Sequence, residues 1–315
     1  MKRKIIQIAE STQLVSLPRK WAVQHNLKKG DEVEVVEEPD RVVILAKPSA
    51  EKPEAVQVNV SGLGRSTYTL VAALYKAGYD EFRVRFGTAD ELKLIQRIVK
   101  DCCLGFELVE QGKDFVVARK VSEPIADEFQ SVLRRMMVFV QNMASESYEA
   151  VKVNDRNALA AIIAMDASIN KFSYFLRRVL NKHGQGPYSI TSPLYYIVEE
   201  LEEIADRYKF VCTRRLTSVR KLGKPALRLF EIANRMLELF TSAFYKFEWQ
   251  KLNELSDLNA QVQDMMPSLM KRSDSGEFMT VYNLLIIADK IYNLDGPLVL
   301  SRYDPLDKTS SAFLK

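Results

Sequence analysis

Two pairs of polar side chains in the C-terminal half of the sequence have the spacing of a helical cation site. Glu202 and Asp206 lie four residues apart in VEELEEIADRY, so in a helix they share one face, one turn apart. Asp166 and Asn170 have the same spacing in AMDASINKF. Two such helices packed antiparallel bring these oxygens together, and oxygen is the ligand that hard cations prefer. The spacing therefore predicts a metal site between the two helices.

A later segment repeats part of this pattern. In IADKIYN, Asp289 and Asn293 take the positions of Glu202 and Asp206 after 87 residues, as duplication of a three-helix unit would produce. The candidate partners of this second copy are ambiguous: they are Asn253, Glu254 and Asp257.

Ion pairing is the alternative interpretation of these carboxylates. Acidic residues at this spacing are common on solvated helices, where neighbouring cations pair with them. The candidates for that role are Lys171, Arg207 and Lys209. Spacing alone leaves both interpretations open.

The first 30 residues hold a second candidate site, made of cations. They carry seven lysines and arginines against one acid, Glu10, whereas residues 31–40 carry six acids and no base. A folded unit with this distribution has one basic side, which can attract the phosphate backbone of a nucleic acid. A solvated surface is the simpler alternative.

Alternating apolar residues predict the elements that position these cations. Strands are predicted in RKIIQIA, QLVSLP, DEVEVVEE and RVVILAK, with a turn at Pro39 and Asp40 and a short helix in PRKWAVQHNL. Residues 1–48 can bury little core alone, so we expect them to dimerise or to pack on a neighbour.

The order of SLPRKW, LKKGDEVEVV and VVILAK resembles the AbrB/SpoVT family of DNA-binding domains. The resemblance implies a homodimeric swapped-hairpin β-barrel and DNA contacts from the basic residues near the first strand and the helix start. By position these are Lys2, Arg3, Lys4, Arg19 and Lys20. Relatives also neutralise toxins. Asn26 stands where the family usually has Gly, and Asn also tolerates a left-handed conformation.

A polar linker, residues 49–55, precedes a predicted small α/β domain at residues 55–120. Its pattern is βαβαββ, which we interpret as ferredoxin-like, with a hairpin at Gln111 and Gly112. No phosphate-binding glycine loop is present, so we expect a linking or dimerisation role.

Residues 122–298 read as six helices in two sets of three, a pair of antiparallel bundles. The predicted starts include a cap at Ser122 and Pro124, Asn154, and Ser192 with Pro193. Predicted ends include Gly184 and the Gly296–Pro297 step, which leaves residues 299–315 as a tail.

Residues 123–297 resemble the PhoU family of phosphate-uptake regulators, whose relatives bind multinuclear iron or zinc or other divalent metal such as magnesium. EEIAD fits the family motif at Glu202 and Asp206, and DASIN approximates its partner at Asp166 and Asn170. The second copy, at Asp289 and Asn293, keeps one carboxylate. The whole order, AbrB-like, small α/β and PhoU-like, resembles an archaeal arrangement and implies a multidomain α+β protein.

Composition narrows the class further. The 315 residues are 47% hydrophobic and 27% charged, and the start lacks a signal-peptide apolar region, so we expect a cytoplasmic protein without membrane insertion. Cys102, Cys103 and Cys212 match neither a redox pair nor a disulfide framework and are predicted to be buried. The basic stretch 207–228 fits a helix end or an acidic partner.

These patterns predict a DNA-binding, non-enzymatic regulator of phosphate uptake that senses its state through metal or through a phosphate transporter or signalling protein. The alternative is an adaptor that docks on such a partner without binding DNA. A di-metal enzyme is disfavoured because the two histidines, His25 and His183, lie outside any Glu-x-x-His frame.

Overall fold

The computed structural model describes residues 3–8, 12–38, 41–46, 55–122, 128–185, 188–218, 220–272 and 275–302. The chain divides into two compact units, Met1–Glu54 and Ala55–Lys315. The predicted α/β and helical segments therefore lie within one compact unit.

The described residues of the first unit form two separate antiparallel hairpins and one short helix. Strand β1 (Ile6–Ile8) pairs with β2 (Thr12–Leu14), and β3 (Glu34–Glu38) pairs with β4 (Arg41–Leu45). Helix α1 (Arg19–Gln24) lies between the hairpins in sequence. The predicted strand and helix order is confirmed, while the turn at Pro39 and Asp40 lies outside the described residues.

Asn26 follows α1 and has a φ of 55°, in the left-handed region. Gly30, which opens the approach to β3, has a φ of 96°. Asn is one of the few residues other than Gly that adopts this conformation at low cost. The departure from the family pattern at this position thus preserves the backbone geometry.

No described side chain of the first unit is buried. Large apolar side chains of both hairpins and of α1 are exposed instead: Ile5, Ile6, Ile8, Leu14, Val15, Val23, Val35 and Val42. A chain that alternates apolar and polar residues normally buries one face of each strand. The apolar face of this unit is therefore uncovered in a single chain.

The second unit begins with a four-stranded sheet and two helices. In chain order these are β5 (Ala55–Asn59), α2 (Ser66–Ala77), β6 (Glu81–Arg85), α3 (Ala89–Cys102), β7 (Phe106–Gln111) and β8 (Phe115–Lys120). The strand order across the sheet is β5-β6-β8-β7, with β5 and β6 parallel and the other pairs antiparallel. The predicted βαβαββ sequence of elements is confirmed.

The connectivity differs from a split, ferredoxin-like βαβ unit because the two parallel strands are direct neighbours. Strands β7 and β8 are joined by a tight hairpin, in which the Gly112 amide donates to the Phe115 carbonyl at 2.8 Å. A Cβ on Gly112 would lie 2.2 Å from the Phe115 ring, so a larger residue there would require that ring to move. The return strand β8 then occupies the free edge of β6.

Seven helices complete the part of the second unit that the structure describes. They are α4 (Phe129–Val153), α5 (Arg156–His183), α6 (Tyr188–Leu216), α7 (Lys224–Tyr245), α8 (Trp249–Arg272), α9 (Ser275–Tyr292) and α10 (Asp295–Arg302). One hydrophobic core runs through helices α4 to α10, and a second core lies under the sheet. The predicted α+β architecture with a C-terminal helical region is confirmed.

Two helix boundaries near Pro193 and Pro297 differ from the predictions. Gly296 and Pro297 lie in the first turn of α10, where proline is tolerated because the first amides have no helical acceptor. Helix α6 begins at Tyr188 and includes Pro193. The predicted tail therefore begins inside a helix, and the described residues end at 302.

The α4–α5 junction assigns different roles to two adjacent residues. Asn154, predicted to open α5, ends α4 with a φ of 61°. Asp155 caps α5 instead, since its carboxylate accepts from the amides of Asn157 and Ala158 at 3.0 Å each. Gly184 ends α5 as predicted, and the predicted cap at Ser122 and Pro124 extends outside the described residues.

Helix α5 alone among the described helices is long and apolar enough to cross a membrane by length and composition. It packs against α4 and α6 and places Tyr174 in the core under the sheet. It also carries the buried polar residues Asp166, Arg177 and Arg178. Its apolar composition is that of a helix at the centre of the second unit.

Candidate cation site and nucleic-acid interface

Helices α5 and α6 bring Asp166 and Asp206 to a common cation. The ammonium of Lys209 donates to Asp166 Oδ2 at 2.7 Å and to Asp206 Oδ1 at 3.0 Å. The Asn170 amide donates to the same Asp166 oxygen at 3.0 Å. Three of the four predicted ligands are thus joined, and the atom that joins the two carboxylates is Lys209 Nζ.

Glu202, the fourth predicted ligand, belongs to a different ion pair. The Arg177 guanidinium of α5 donates a hydrogen bond from one N–H group to Glu202 at 3.1 Å and from another to Glu199 at 3.0 Å. Arg177 is only 3% exposed, so this pair is shielded on the arginine side. Glu202 and Asp206 therefore share one helix face, as their i, i+4 spacing predicts, but they pair with different cations.

Burial sets the protonation behaviour of this cluster. It raises the pKa of Glu202 to about 7, against the opposing charge of Arg177 and with help from the charge of Asp206. Burial also raises the pKa of Asp166, although Lys209 acts in the other direction. The pKa of Lys209 is raised because its hydrogen bonds to Asp166 and Asp206 outweigh its partial burial.

Two oxygens of the cluster are the feature that most favours a cation. Asp166 Oδ1 and Asn170 Oδ1 are buried and accept no hydrogen bond. Yet in the part of the chain that the structure describes, no group of three or more His, Cys, Asp or Glu residues is placed to hold a metal ion. With an ammonium already between the two carboxylates, these residues do not fit a multinuclear iron, zinc or magnesium site.

The second copy of the motif is more open. Asp289 is exposed on α9, and the Asn293 amide donates to it at 3.2 Å. Of the three candidate partners on α8, Glu254 pairs with Arg235 at 2.9 Å, while Asn253 and Asp257 are exposed. The structure therefore joins Asp289 to Asn293 and gives Glu254 to another cation.

The predicted DNA-binding cations lie on the surface of the first unit. Arg3 and Lys4 precede β1, while Arg19 and Lys20 form the first turn of α1. All four are exposed, and none pairs with another described residue. Lys2 lies outside the described residues. These four charges are available to an external anion.

The basic stretch 207–228 is largely used within the fold. Arg207 pairs with Glu203 at 3.5 Å, and Arg228 pairs with Glu231 at 3.2 Å. Arg215 is buried and donates to the carbonyl of Arg220. These contacts favour the helix-end interpretation for a good part of this stretch.

Another buried arginine, Arg178, joins α5 to the α/β layer. Its guanidinium donates to the carbonyls of Tyr75 and Tyr79 at 2.9 and 2.7 Å and to the carboxylate of Asp80. Lys182 also donates to Asp80, at 2.6 Å. Arg177 and Arg178 are not among the predicted site residues, although two adjacent arginines inside the apolar run FSYFLRRVL indicate buried cations.

The three cysteines are buried and free, as predicted. Burial raises the pKa of Cys212 to about 11, against a hydrogen bond with the Ser147 hydroxyl. Burial likewise raises the pKa of Cys102 and of Cys103. Thiols held protonated in this way are poor nucleophiles and poor metal ligands.

Two family models match the chain. The model for antidote-toxin recognition MazE, bacterial antitoxin, matches residues 6–53, and the PhoU domain model matches residues 133–214. The first match covers both hairpins and α1; the second runs from α4 to α6 and includes the Lys209 cluster. No curated protein matches the chain.

The chain thus combines a MazE/AbrB-like segment with a PhoU domain. That composition is the one expected from the sequence motifs. It indicates a regulatory protein of phosphate homeostasis.

Proposed function

We propose that this chain is a DNA-binding transcriptional regulator of phosphate uptake, acting as a cytoplasmic, non-enzymatic homodimer. The MazE/AbrB-like match and the PhoU match support the two halves of the proposal. The first unit supplies the contact with DNA. The helical unit responds to a phosphate transporter or a signalling protein.

The observation that most supports a DNA-binding role is that, within the part of the chain that the structure describes, four cations of the first unit are exposed and unpaired. Arg3, Lys4, Arg19 and Lys20 are exposed and have no ion-pair partner among the described residues. Elsewhere in the chain, cations such as Arg207, Arg228 and Arg235 pair with carboxylates. Long unpaired cations on a small unit suit phosphate contacts, which position a protein on DNA.

Regulation requires that the helical unit exist in two arrangements. A partner that binds one arrangement more tightly shifts the population toward it, by no more than its difference in affinity for the two. DNA affinity then changes only if the two arrangements also differ in that affinity. The partner therefore binds the second unit, and its effect is measured as a change in the DNA affinity of the first unit.

The test compares the full chain with an Arg19→Ala/Lys20→Ala variant for binding to duplex DNA across a salt series. Each lost phosphate contact should reduce the slope of log affinity against log salt by about 0.9. Lys93→Ala/Lys100→Ala is the matched control, because both lysines are exposed on α3. Equal slopes for parent and Arg19/Lys20 variant would remove the proposed DNA interface.

A second candidate function is favoured by the match to the MazE family, which is described by recognition of a toxin by its antidote. In that case the first unit binds a protein, and the chain is an adaptor. The same salt series distinguishes the two functions. DNA affinity no greater than that of a chain lacking residues 1–54 would favour the adaptor.

A further inference from the structure

The position between the paired carboxylates of α5 and α6 is filled by the protein's own cation. Lys209 follows Asp206 by three residues on the same helix, so its side chain lies on the same face. Its ammonium lies 3.0 Å from Asp206 and 2.7 Å from Asp166 of the neighbouring helix. It therefore bridges the two helices as a bound cation would.

Each carboxylate around Lys209 has a cation of the protein itself as a partner. Asp166 and Asp206 share Lys209, while Glu202 and Glu199 share Arg177. Asn170 adds an amide in place of a third carboxylate and donates to Asp166. A divalent ion that binds between the two carboxylates competes with this ammonium for Asp166 Oδ2 and Asp206 Oδ1.

We infer that Lys209 is a tethered cation that replaces a divalent metal between α5 and α6. Its ion pairs link the two helices without a bound metal, so the link does not depend on the metal concentration in solution. A lysine suits this role because its ammonium is a compact charge with three N–H donors on a long flexible stem. The inference concerns the second unit alone and does not rest on DNA binding.

The inference predicts a gain of metal binding when Lys209 is removed. Without the ammonium, the carboxylates of Asp166 and Asp206 lose their shared cation. Asp166 Oδ1 and Asn170 Oδ1 already have no hydrogen-bond partner among the residues that the structure describes. Such a set of oxygens suits a hard divalent cation. The Lys209→Met variant should therefore bind an ion that the parent excludes.

The experiment titrates Mn²⁺ against the full chain and follows free Mn²⁺ by electron paramagnetic resonance. Lys209→Met should bind one Mn²⁺ per chain at least 10-fold more tightly than the parent, and adding Asp206→Asn should abolish that gain. Lys209→Arg, which keeps the positive charge, should bind no better than the parent. Lys224→Met, an exposed lysine of α7, is the matched control for loss of one charge.

Lys209→Met protein that binds Mn²⁺ no more tightly than the parent would overturn the inference. A measurement on the parent alone covers the case in which Lys209→Met does not fold. Acetic anhydride should modify Lys209 more slowly than Lys224, at a rate that Mn²⁺ leaves unchanged. Acceleration by Mn²⁺ would mean that metal displaces the ammonium, contrary to the inference.

Discussion

Asp80 is a single carboxylate that connects the α/β layer to the central helix of the second unit. It accepts hydrogen bonds from Lys182 at 2.6 Å and from Lys120 at 3.4 Å, and it pairs with the buried Arg178. Partial burial opposes ionisation, but the hydrogen bond and charge of Lys182 and the charges of Arg178 and Lys120 outweigh it. The pKa of Asp80 is therefore lowered.

We predict that Asp80→Asn destabilises the second unit by about 2 kcal/mol at neutral pH, the typical worth of a hydrogen bond to a charged group. Because the folded-state pKa lies below the unfolded value of about 4, this stabilisation is complete above pH 4. It is lost as the pH falls through the folded-state pKa. Urea unfolding of parent and variant between pH 3 and pH 8 measures the difference.

Asp264→Asn is the control for this change, because Asp264 is exposed on α8. It should alter the unfolding free energy by less than about 0.5 kcal/mol. A parent–variant difference for Asp80 that persists undiminished at pH 3 would contradict the assigned cause.

The carboxylate cluster shows what residue patterns determine and what they leave open. The i, i+4 spacing correctly placed Asp166 near Asn170 and brought Asp206 to the same helix pair. It did not identify the cation, because Lys171, Arg207 and Lys209 all lie close enough in sequence to pair with these carboxylates. The choice depends on side-chain direction: Lys171 donates to the carbonyl of Lys100, Arg207 pairs with Glu203, and Lys209 faces the cluster.

At the scale of elements, α3 owes its start to a capping box. The Thr88 hydroxyl accepts from the Glu91 amide at 3.3 Å, and the Glu91 carboxylate accepts from the Thr88 amide at 3.0 Å. The same carboxylate accepts from the amides of Gly87 and Gly62. These backbone hydrogen bonds, that of Gly87 foremost, lower the pKa of Glu91. The cap thus also holds the loop after β5.

We predict that Thr88→Ala destabilises the second unit by about 1 kcal/mol, the usual cost of losing an N-cap side chain. Hydrogen exchange should accelerate most at the first-turn amides of α3, including that of Glu91. Thr88→Ser keeps the hydroxyl and should retain most of the protection. Equal exchange rates in Thr88→Ala and the parent would show that the cap contributes nothing.

Elements were predictable where a local signal decides them. The Gln111–Gly112 hairpin, the Gly184 helix end and the left-handed Asn26 each follow from backbone preferences of one or two residues. Strand order was not predictable in this way, because the position of β8 beside β6 depends on long-range pairing. Helix α10 was missed because Gly and Pro signal a helix end as readily as they fit a first turn.

At the scale of the whole molecule, the two units differ in how they can be stable. The second unit has a continuous hydrophobic core among its helices and another under its sheet. In the first unit, no described side chain is buried, and apolar residues of both hairpins are exposed. We therefore propose that a partner surface stabilises the first unit and that a second copy of the chain supplies it with the same apolar pattern.

We predict that the full chain is a dimer and that Ile6→Ser/Leu14→Ser weakens it at least about 100-fold. Ile6 and Leu14 lie directly opposite each other on β1 and β2 and are 55% and 46% exposed. Burying a large aliphatic side chain contributes about 1.5 to 3 kcal/mol, and each dimer contains both residues twice. Sedimentation equilibrium over a range of concentrations measures the dissociation constant.

Val121→Ser/Val138→Ser is the matched control, because both valines are exposed in the second unit and lie outside the proposed interface. It should leave the dissociation constant unchanged. The unfolding midpoint of the first unit should also rise with protein concentration, as it does when only the folded state associates. A monomer at all concentrations, or a variant that dimerises like the parent, would show that something other than a second copy covers these hairpins.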